Sequence, residues 1–265
     1  MDKKDYTEKN RQAWNEASLK HREFRNKKGD PILQDGFIDF DEIIIRYLKE
    51  FGRIEGARVV NLCCNDGRET ISLKRMGAAE CVGFDISDEA IQTAKDLSNK
   101  TGVKCEFIRS DVYDIDPEKF SSFDLAFISA GALSWLGDLD ELFQIVSGLL
   151  KKRGRLLIYE IHPFAWLLEE APPENPLQIS GSYFKDGPVI THGALDYVGN
   201  EDYDGLVNYS FDHTIGEILT SLIRAGIKIE EFRELPGDVS AVFSHLEKME
   251  ISLPLSYILC AKKEG

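Results

Sequence analysis

Apolar residues recur along this chain in two periods that alternate. Tyr6, Asn10, Ala13, Trp14, Ala17, His21 and Phe24 fall three or four apart, which predicts a helix over about 5–24 with one face laid against the body. Phe40, Ile44, Tyr47, Leu48 and Phe51 repeat that spacing and predict a second helix near 38–51. Short, almost continuously apolar runs follow at 58–63, 81–85, 105–108, 123–128 and 155–159, each read as a strand. Helical patterns separate them: one over about 67–76, and one that Ser87 can cap with Asp88 and Glu89 in its first turn. A third shows a stripe of Leu139, Leu142, Phe143, Val146, Leu149 and Leu150, and Gly154 is expected to close it. Strands apolar on both faces suit a parallel sheet covered by helices. The predicted fold is therefore α/β, a doubly wound, mostly parallel sheet.

The regularity breaks over 163–211, where Pro163, Pro172, Pro173, Pro176 and Pro188 interrupt a polar stretch. Some β content is expected there, with 182–184 and 189–191 flanking a turn at Asp186-Gly187. Order returns at Thr214 and Glu217, spaced as a capping box, ahead of a helix with Ile215, Ile218, Leu219, Leu222 and Ile223. Strands at 227–232 and 255–260 then pair antiparallel. The expected organisation is an N-terminal helical cap over 1–36, a core of 37–162 and 212–265, and an inserted lid over 163–211.

Charge narrows the partners. Among 265 residues, 32 basic and 46 acidic side chains give a net charge of −14. That disfavours a nucleic-acid partner, whose phosphates call for a Lys/Arg face. The first thirty residues carry nine basic and six acidic side chains, so the first helix is basic against an acidic body. The longest stretch without a charge, residues 125–137, is too short to cross a bilayer, so no membrane partner is expected. The chain starts without an apolar leader and has five cysteines, an odd number, which suits reduced thiols in the cytoplasm. No Cys-x-x-Cys pair or Cys/His cluster has metal spacing, so no metal is expected.

The chemistry should lie beyond the carboxyl ends of the parallel strands. There stand 61–67 after the first strand, Asp85 after the second, Ser110-Asp111-Val112 after the third, Ser129-Ala130 after the fourth and Glu160-Ile161-His162 after the fifth. An acid ending the second strand can accept hydrogen bonds from both hydroxyls of a ribose. Cys63 and Asn65 occupy positions where a pyrophosphate-binding loop needs glycine, and there is no Walker lysine. An adenosine-containing ligand without a phosphate chain fits better than a dinucleotide, which argues against a nucleotide-dependent oxidoreductase.

The segment Val59-Val60-Asn61-Leu62-Cys63-Cys64-Asn65-Asp66-Gly67 resembles the first motif of class I S-adenosylmethionine-dependent methyltransferases, of the bacterial small-molecule type. Val82-Gly83-Phe84-Asp85-Ile86-Ser87, Ser110-Asp111-Val112 and Phe123-Asp124-Leu125-Ala126-Phe127 resemble the three that follow. The resemblance covers most of 38–262 and rests on the order and spacing of the motifs together. It implies a seven-stranded sheet with an antiparallel last strand and methyl transfer from S-adenosyl-L-methionine to a small-molecule acceptor by in-line displacement. It further implies that Asp85, with Ile86 beside it, holds the ribose, and that Asp111 and the Val112 backbone meet the adenine. Asn61, Cys63, Asn65 and Gly67 would cradle the methionine end, and Ser129 and Ala130 would line the floor near the sulfonium.

Three positions depart from the family pattern: Asn61 replaces the usual acid, and Cys63 and Asn65 replace glycines. The alternative they leave open is a methyltransferase-like domain of weak or no catalysis, acting as a ligand- or partner-binding protein. On the acceptor side the candidates are Trp14, Glu160, His162 and His213, with His162 the candidate general base because imidazole titrates near neutral pH. Trp14, Trp135 and the aromatic side chains of the insertion either form an apolar or cation-binding cage over the acceptor, or those rings are the insertion's own small core. After the fourth strand Ser129-Ala130-Gly131-Ala132 stands in place of the Asx-Pro-Pro-aromatic tetrapeptide of amino-methylating DNA enzymes.

Overall fold

The computed structural model describes residues 3–168, 174–195, 197–199, 203–240 and 242–265. Helix α1 (Lys3–Lys28) and helix α2 (Glu42–Glu50) precede strand β1 (Arg58–Leu62). Helix α3 (Arg68–Arg75), β2 (Glu80–Asp85), α4 (Asp88–Thr101), β3 (Glu106–Arg109), β4 (Phe123–Ser129), α5 (Leu139–Leu149) and β5 (Leu150–Ile161) follow. The insertion contributes β6 (Val189–His192) and β7 (Val207–Ser210), and α6 (Ile215–Arg224), β8 (Ile227–Leu235) and β9 (Ser256–Lys263) complete the chain. Seven strands form one sheet in the order β3-β2-β1-β4-β5-β9-β8. The first five are parallel, and β9 runs antiparallel to both its neighbours.

Side chains alternate across the sheet, and each set has its own core. Val60, Leu62, Val82, Phe84, Ala126, Ile128, Leu156 and Ile158 share one core with Leu142, Phe143 and Val146 of α5 and Ile218 and Leu222 of α6. Val59, Cys81, Leu125, Phe127, Leu157 and Tyr159 face the other way, toward Ile44, Tyr47 and Leu48 of α2 and Leu73 of α3. Strands buried on both faces are the physical reason their sequences lack polar alternation. The reversal of strand order between β1 and β4 leaves a crevice at their carboxyl ends.

Three expectations change in detail. The helix with the Leu139 stripe ends at Leu149, and Gly154 lies inside β5, where the pairing with β4 shifts register between Phe123 and Leu125. A Cβ at Gly154 would sit 2.9 Å from the Lys151 carbonyl oxygen and 3.0 Å from that of Phe123, so glycine serves a close backbone approach and not a helix end. Residues 182–184 form no strand; β6 pairs instead with β7, across the rest of the insertion. The N-terminal helix is longer than its periodicity implies and docks firmly.

That docking is specific. Buried Asn10 donates from Nδ2 to the Tyr209 carbonyl and accepts the Tyr209 N–H at Oδ1, both at 2.8 Å, joining α1 to β7 as a strand neighbour would. Asn15 Oδ1 accepts the Ser87 hydroxyl at 2.8 Å, at the start of α4, and Arg11 pairs with Asp88. Ala13 and Ala17 are fully packed between these anchors. Replacing Asn10 with Ala strands a buried N–H and a buried carbonyl, which costs about 1–3 kcal/mol. Asn10→Ala is therefore expected to lower Tm by about 2–4 °C per kcal/mol lost for a chain of this size. It should also speed hydrogen exchange at the Tyr209 amide; unchanged Tm and exchange would mean that the anchor is dispensable.

Candidate active site

A cavity of about 1020 Å³ opens beyond the carboxyl ends of β1 to β4, and α1 and the insertion cover it. Its base is the turn after β1. Cys63 (φ 55°), Asn65 (φ 48°) and Gly67 (φ 78°) all take the left-handed conformation there. Glycine adopts it without strain and Asn tolerates it, so the cost falls mainly on Cys63, on the order of 1 kcal/mol. The turn does not open to relieve this. Cys64 N–H donates to the Phe84 carbonyl at 2.9 Å, and Asn65 N–H donates to Asp85 Oδ2 at 2.8 Å. Gly67 N–H closes on the Cys64 carbonyl at 3.0 Å. A Cβ on Gly67 would strike the Phe107 ring at 2.6 Å, so that glycine is fixed by packing as well as by its φ.

Asp85 ends β2 and binds on both sides. Its Oδ2 takes the Asn65 N–H and its Oδ1 takes the Ser87 N–H at 2.8 Å, leaving further lone pairs toward the cavity that it lines. Burial pushes this carboxyl up to about 6 against the pull of those donors. Asp111 follows β3, accepts the Tyr113 N–H at 3.1 Å and is also raised by burial. Ile86 and Val112 line the cavity beside them. Two carboxylates at neighbouring strand ends, each flanked by an apolar side chain, match a ligand with a ribose diol and a flat purine.

Cys63, Asn65, Asp85, Ile86, Asp111, Val112, Ser129, Ala130 and Trp14 thus stand together around one space, as the sequence suggested. Five other candidates do not line it. Asn61 is fully buried in β1 on the α3 side, where its Nδ2 donates to Thr70 Oγ1 at 3.0 Å. Gly67 lies behind the turn, at the start of α3. Glu160 is turned inward and accepts N–H groups from Gly131 (2.7 Å), Leu133 (2.9 Å) and Ile161 (2.9 Å). It braces the turn after β4, and burial pushes it up to about 7. His162 Nδ1 accepts the Phe164 N–H at 3.0 Å, so Nε2 carries the proton and lies 3.1 Å from Glu234. His213 donates from Nε2 to the Leu136 carbonyl at 2.7 Å and stacks on Phe211. Burial lowers the pKa of both histidines, and both are committed to fixing loops.

The cover supplies what single motifs do not reveal. Trp14 meets Trp135 edge to face, with ring centroids 5.2 Å apart, and Tyr197 at 6.4 Å. Asn65 Nδ2 donates to the Tyr197 hydroxyl at 3.0 Å, tying the insertion to the strained turn. Arg25 of α1 pairs with Asp66, and Arg68 bonds Asp66 (3.1 Å) and Asp30. Glu69, in the first turn of α3, lines the cavity and accepts the Ser129 hydroxyl. Sequence reasoning passed over Glu69 because an acid in a first helical turn ordinarily answers the helix dipole. Among the described residues no cluster of His, Cys, Asp and Glu is placed to hold a metal ion.

Comparison with known proteins agrees with this geometry. The family model described as a methyltransferase domain matches residues 54–196, more than half of the chain. The demethylmenaquinone methyltransferase of Staphylococcus aureus (strain Newman) is 27% identical over 84% of this chain and 90% of its own length. A ribosomal protein L11 methyltransferase of Tolumonas auensis is 27% identical over 51% of this chain and 42% of its own. The chain spans about half the length of several curated relatives that it matches. Among solved structures, an S-adenosylmethionine dependent methyltransferase from Mesorhizobium loti superposes with a TM-score of 0.58 at 21% identity, covering 83% of this chain and 96% of that one. The chain belongs to the methyltransferase domain family and has the fold of S-adenosylmethionine-dependent methyltransferases.

Proposed function

We propose that this protein transfers the methyl group of S-adenosylmethionine to a small-molecule acceptor enclosed beneath α1 and the 163–211 insertion. The observation that carries the reading is the pairing of Asp85 and Asp111, at adjacent strand ends, with a strained turn opening on the same cavity as an aromatic wall. The cofactor supplies a methyl group already activated by its sulfonium. The chain's own work is to position and to exclude water. Asp85 accepts the ribose hydroxyls, and Asp111 accepts the adenine amino group between the side chains of Ile86 and Val112. The backbone of Cys63 and Asn65 lets the ligand pass close, which is why the turn keeps a left-handed shape without glycine. Ser129 and Ala130 form the floor under the reacting end.

Several features favour a small acceptor. Pockets for one drug-sized ligand run to about 300–1,000 Å³, so a cavity of about 1020 Å³ suits a cofactor together with a compact second molecule. Trp14, Trp135 and Tyr197 offer that molecule an apolar wall. The net charge of −14 opposes a nucleic-acid acceptor. The demethylmenaquinone methyltransferase aligns along most of the chain, whereas the L11 relative aligns over half. No helix among the described residues is long and apolar enough to cross a membrane, and five free thiols suit the cytoplasm. His162 and His213 serve loops, so acceptor activation rests on placement and not on either imidazole.

Incubating the protein with methyl-labelled S-adenosylmethionine and cell extract tests the acceptor class. A labelled small molecule distinct from the cofactor, formed only when the protein is present, is expected in the ultrafiltrate; transferred label confined to protein or nucleic acid would overturn it. Asp85→Ala removes two charge-assisted hydrogen bonds of about 1.5–3 kcal/mol each before relaxation. Calorimetry should then show S-adenosylhomocysteine bound at least tenfold more weakly, and equal affinity would remove the assignment. Protonation costs Asp85 its charge and part of its acceptor capacity, and burial pushes its carboxyl up to about 6. Binding of 5′-methylthioadenosine, which lacks the amino-acid end, should therefore weaken from about pH 7.5 to about pH 5.5. An affinity that holds or rises toward acid would contradict an ionised ribose acceptor.

A further inference from the structure

The family's first motif places an acid at position 61, and here that charge is gone. Its neutral replacement is also out of reach, since Asn61 lies under α3, bonded to Thr70, and does not line the cavity. A cofactor whose amino-acid end carries an ammonium still needs an anion near the turn after β1. Among the described residues five acids besides Glu69 line the cavity, and each has a different task. Asp66 is held by Arg25 and Arg68, Asp39 lies 3.9 Å from Arg68, and Asp212 pairs with Lys185. Asp85 and Asp111 stand at the ends of β2 and β3, on the adenosine side.

Glu69 is placed differently. It extends from the first turn of α3, directly after the strained turn, and reaches across to β4, where the Ser129 hydroxyl donates to Oε2. We propose that Glu69 has taken over the role of the missing acid at position 61 and receives the ammonium of the cofactor's amino-acid end. This rests on the reading of the cavity as the S-adenosylmethionine site. Burial pushes the Glu69 carboxyl up to about 7, and Asp39, Asp66 and Glu160 add to that push, so an incoming cation is welcome there. The charge has moved from strand to helix, and the two prongs of the site remain: an anion for the ammonium and Asp85 for the ribose.

A ligand-by-variant cycle tests the inference. Wild type and Glu69→Gln are titrated calorimetrically with S-adenosylhomocysteine and with its des-amino analogue, after each is confirmed folded by its thermal transition. Removing the amine should weaken binding to wild type about tenfold or more and change binding to Glu69→Gln less than about twofold. Asn61→Asp should leave the affinity for S-adenosylhomocysteine no tighter than that of wild type. If Glu69→Gln still discriminates the two ligands as wild type does, or loses both equally, Glu69 does not receive the ammonium. If Glu69→Gln does not fold, Glu69→Ala, which also removes the anion, enters the same cycle with the same criteria. If wild type binds neither ligand, the cofactor reading itself fails, and this inference with it.

Discussion

The carboxylate of Asp85 ties the turn after β1 to the start of α4 and, through Ser87, to the covering helix α1. One oxygen takes the N–H of Asn65 in the turn after β1, and the other takes the N–H of Ser87 before α4. The first bond holds the turn in a left-handed shape that its side chains resist. The second fixes Ser87, whose hydroxyl accepts the Ala90 N–H to cap α4 and donates to Asn15 of α1. Cavity base, helix start and cover are thus all referred to one side chain. Desolvating a carboxylate is costly, and the two N–H groups offset only part of it. On the proposed reading, the ribose diol donates to the remaining lone pairs and completes what the protein leaves undone.

The same accounting applies to the other buried acids. Glu160 sits among three N–H donors and spends its acceptor capacity on the turn after β4. Glu69 has a hydroxyl partner and a face on the cavity. The difference between a bracing acid and a binding acid is therefore where unspent lone pairs point. It is not a difference of residue type or of depth.

Most of the sheet was legible in the sequence because its strands are buried on both faces, and burial of that kind writes continuous apolar runs. The capping residues Ser87 and Thr214 were legible for an equally local reason: their bonds reach only three residues ahead. The strand-end residues Asp85 and Asp111 could be placed because strand ends follow from strands. What stayed hidden depends on distance. Asn61 reads as a site residue until its alternation puts it beneath α3. His162 and His213 read as candidate bases until their partners, Phe164 and Leu136, are known. The partnership of β6 with β7 spans a polar stretch with no period, so the local pattern pointed to 182–184 and gave no sign of 207–210.

The link between Asn10 and Tyr209 joins positions 199 residues apart. Contacts of that separation form late, because the loop they close must be ordered first. At about 5–20 residues per second of synthesis, roughly 10–40 s separate the appearance of the two partners on the ribosome. Through that interval α1 has its packing face, with Ala13, Ala17 and Trp14, and no β7 to receive it. The sheet from β1 to β5 is complete well before the cover is. Assembly therefore runs from floor to roof, and the cavity is enclosed in one of the last steps.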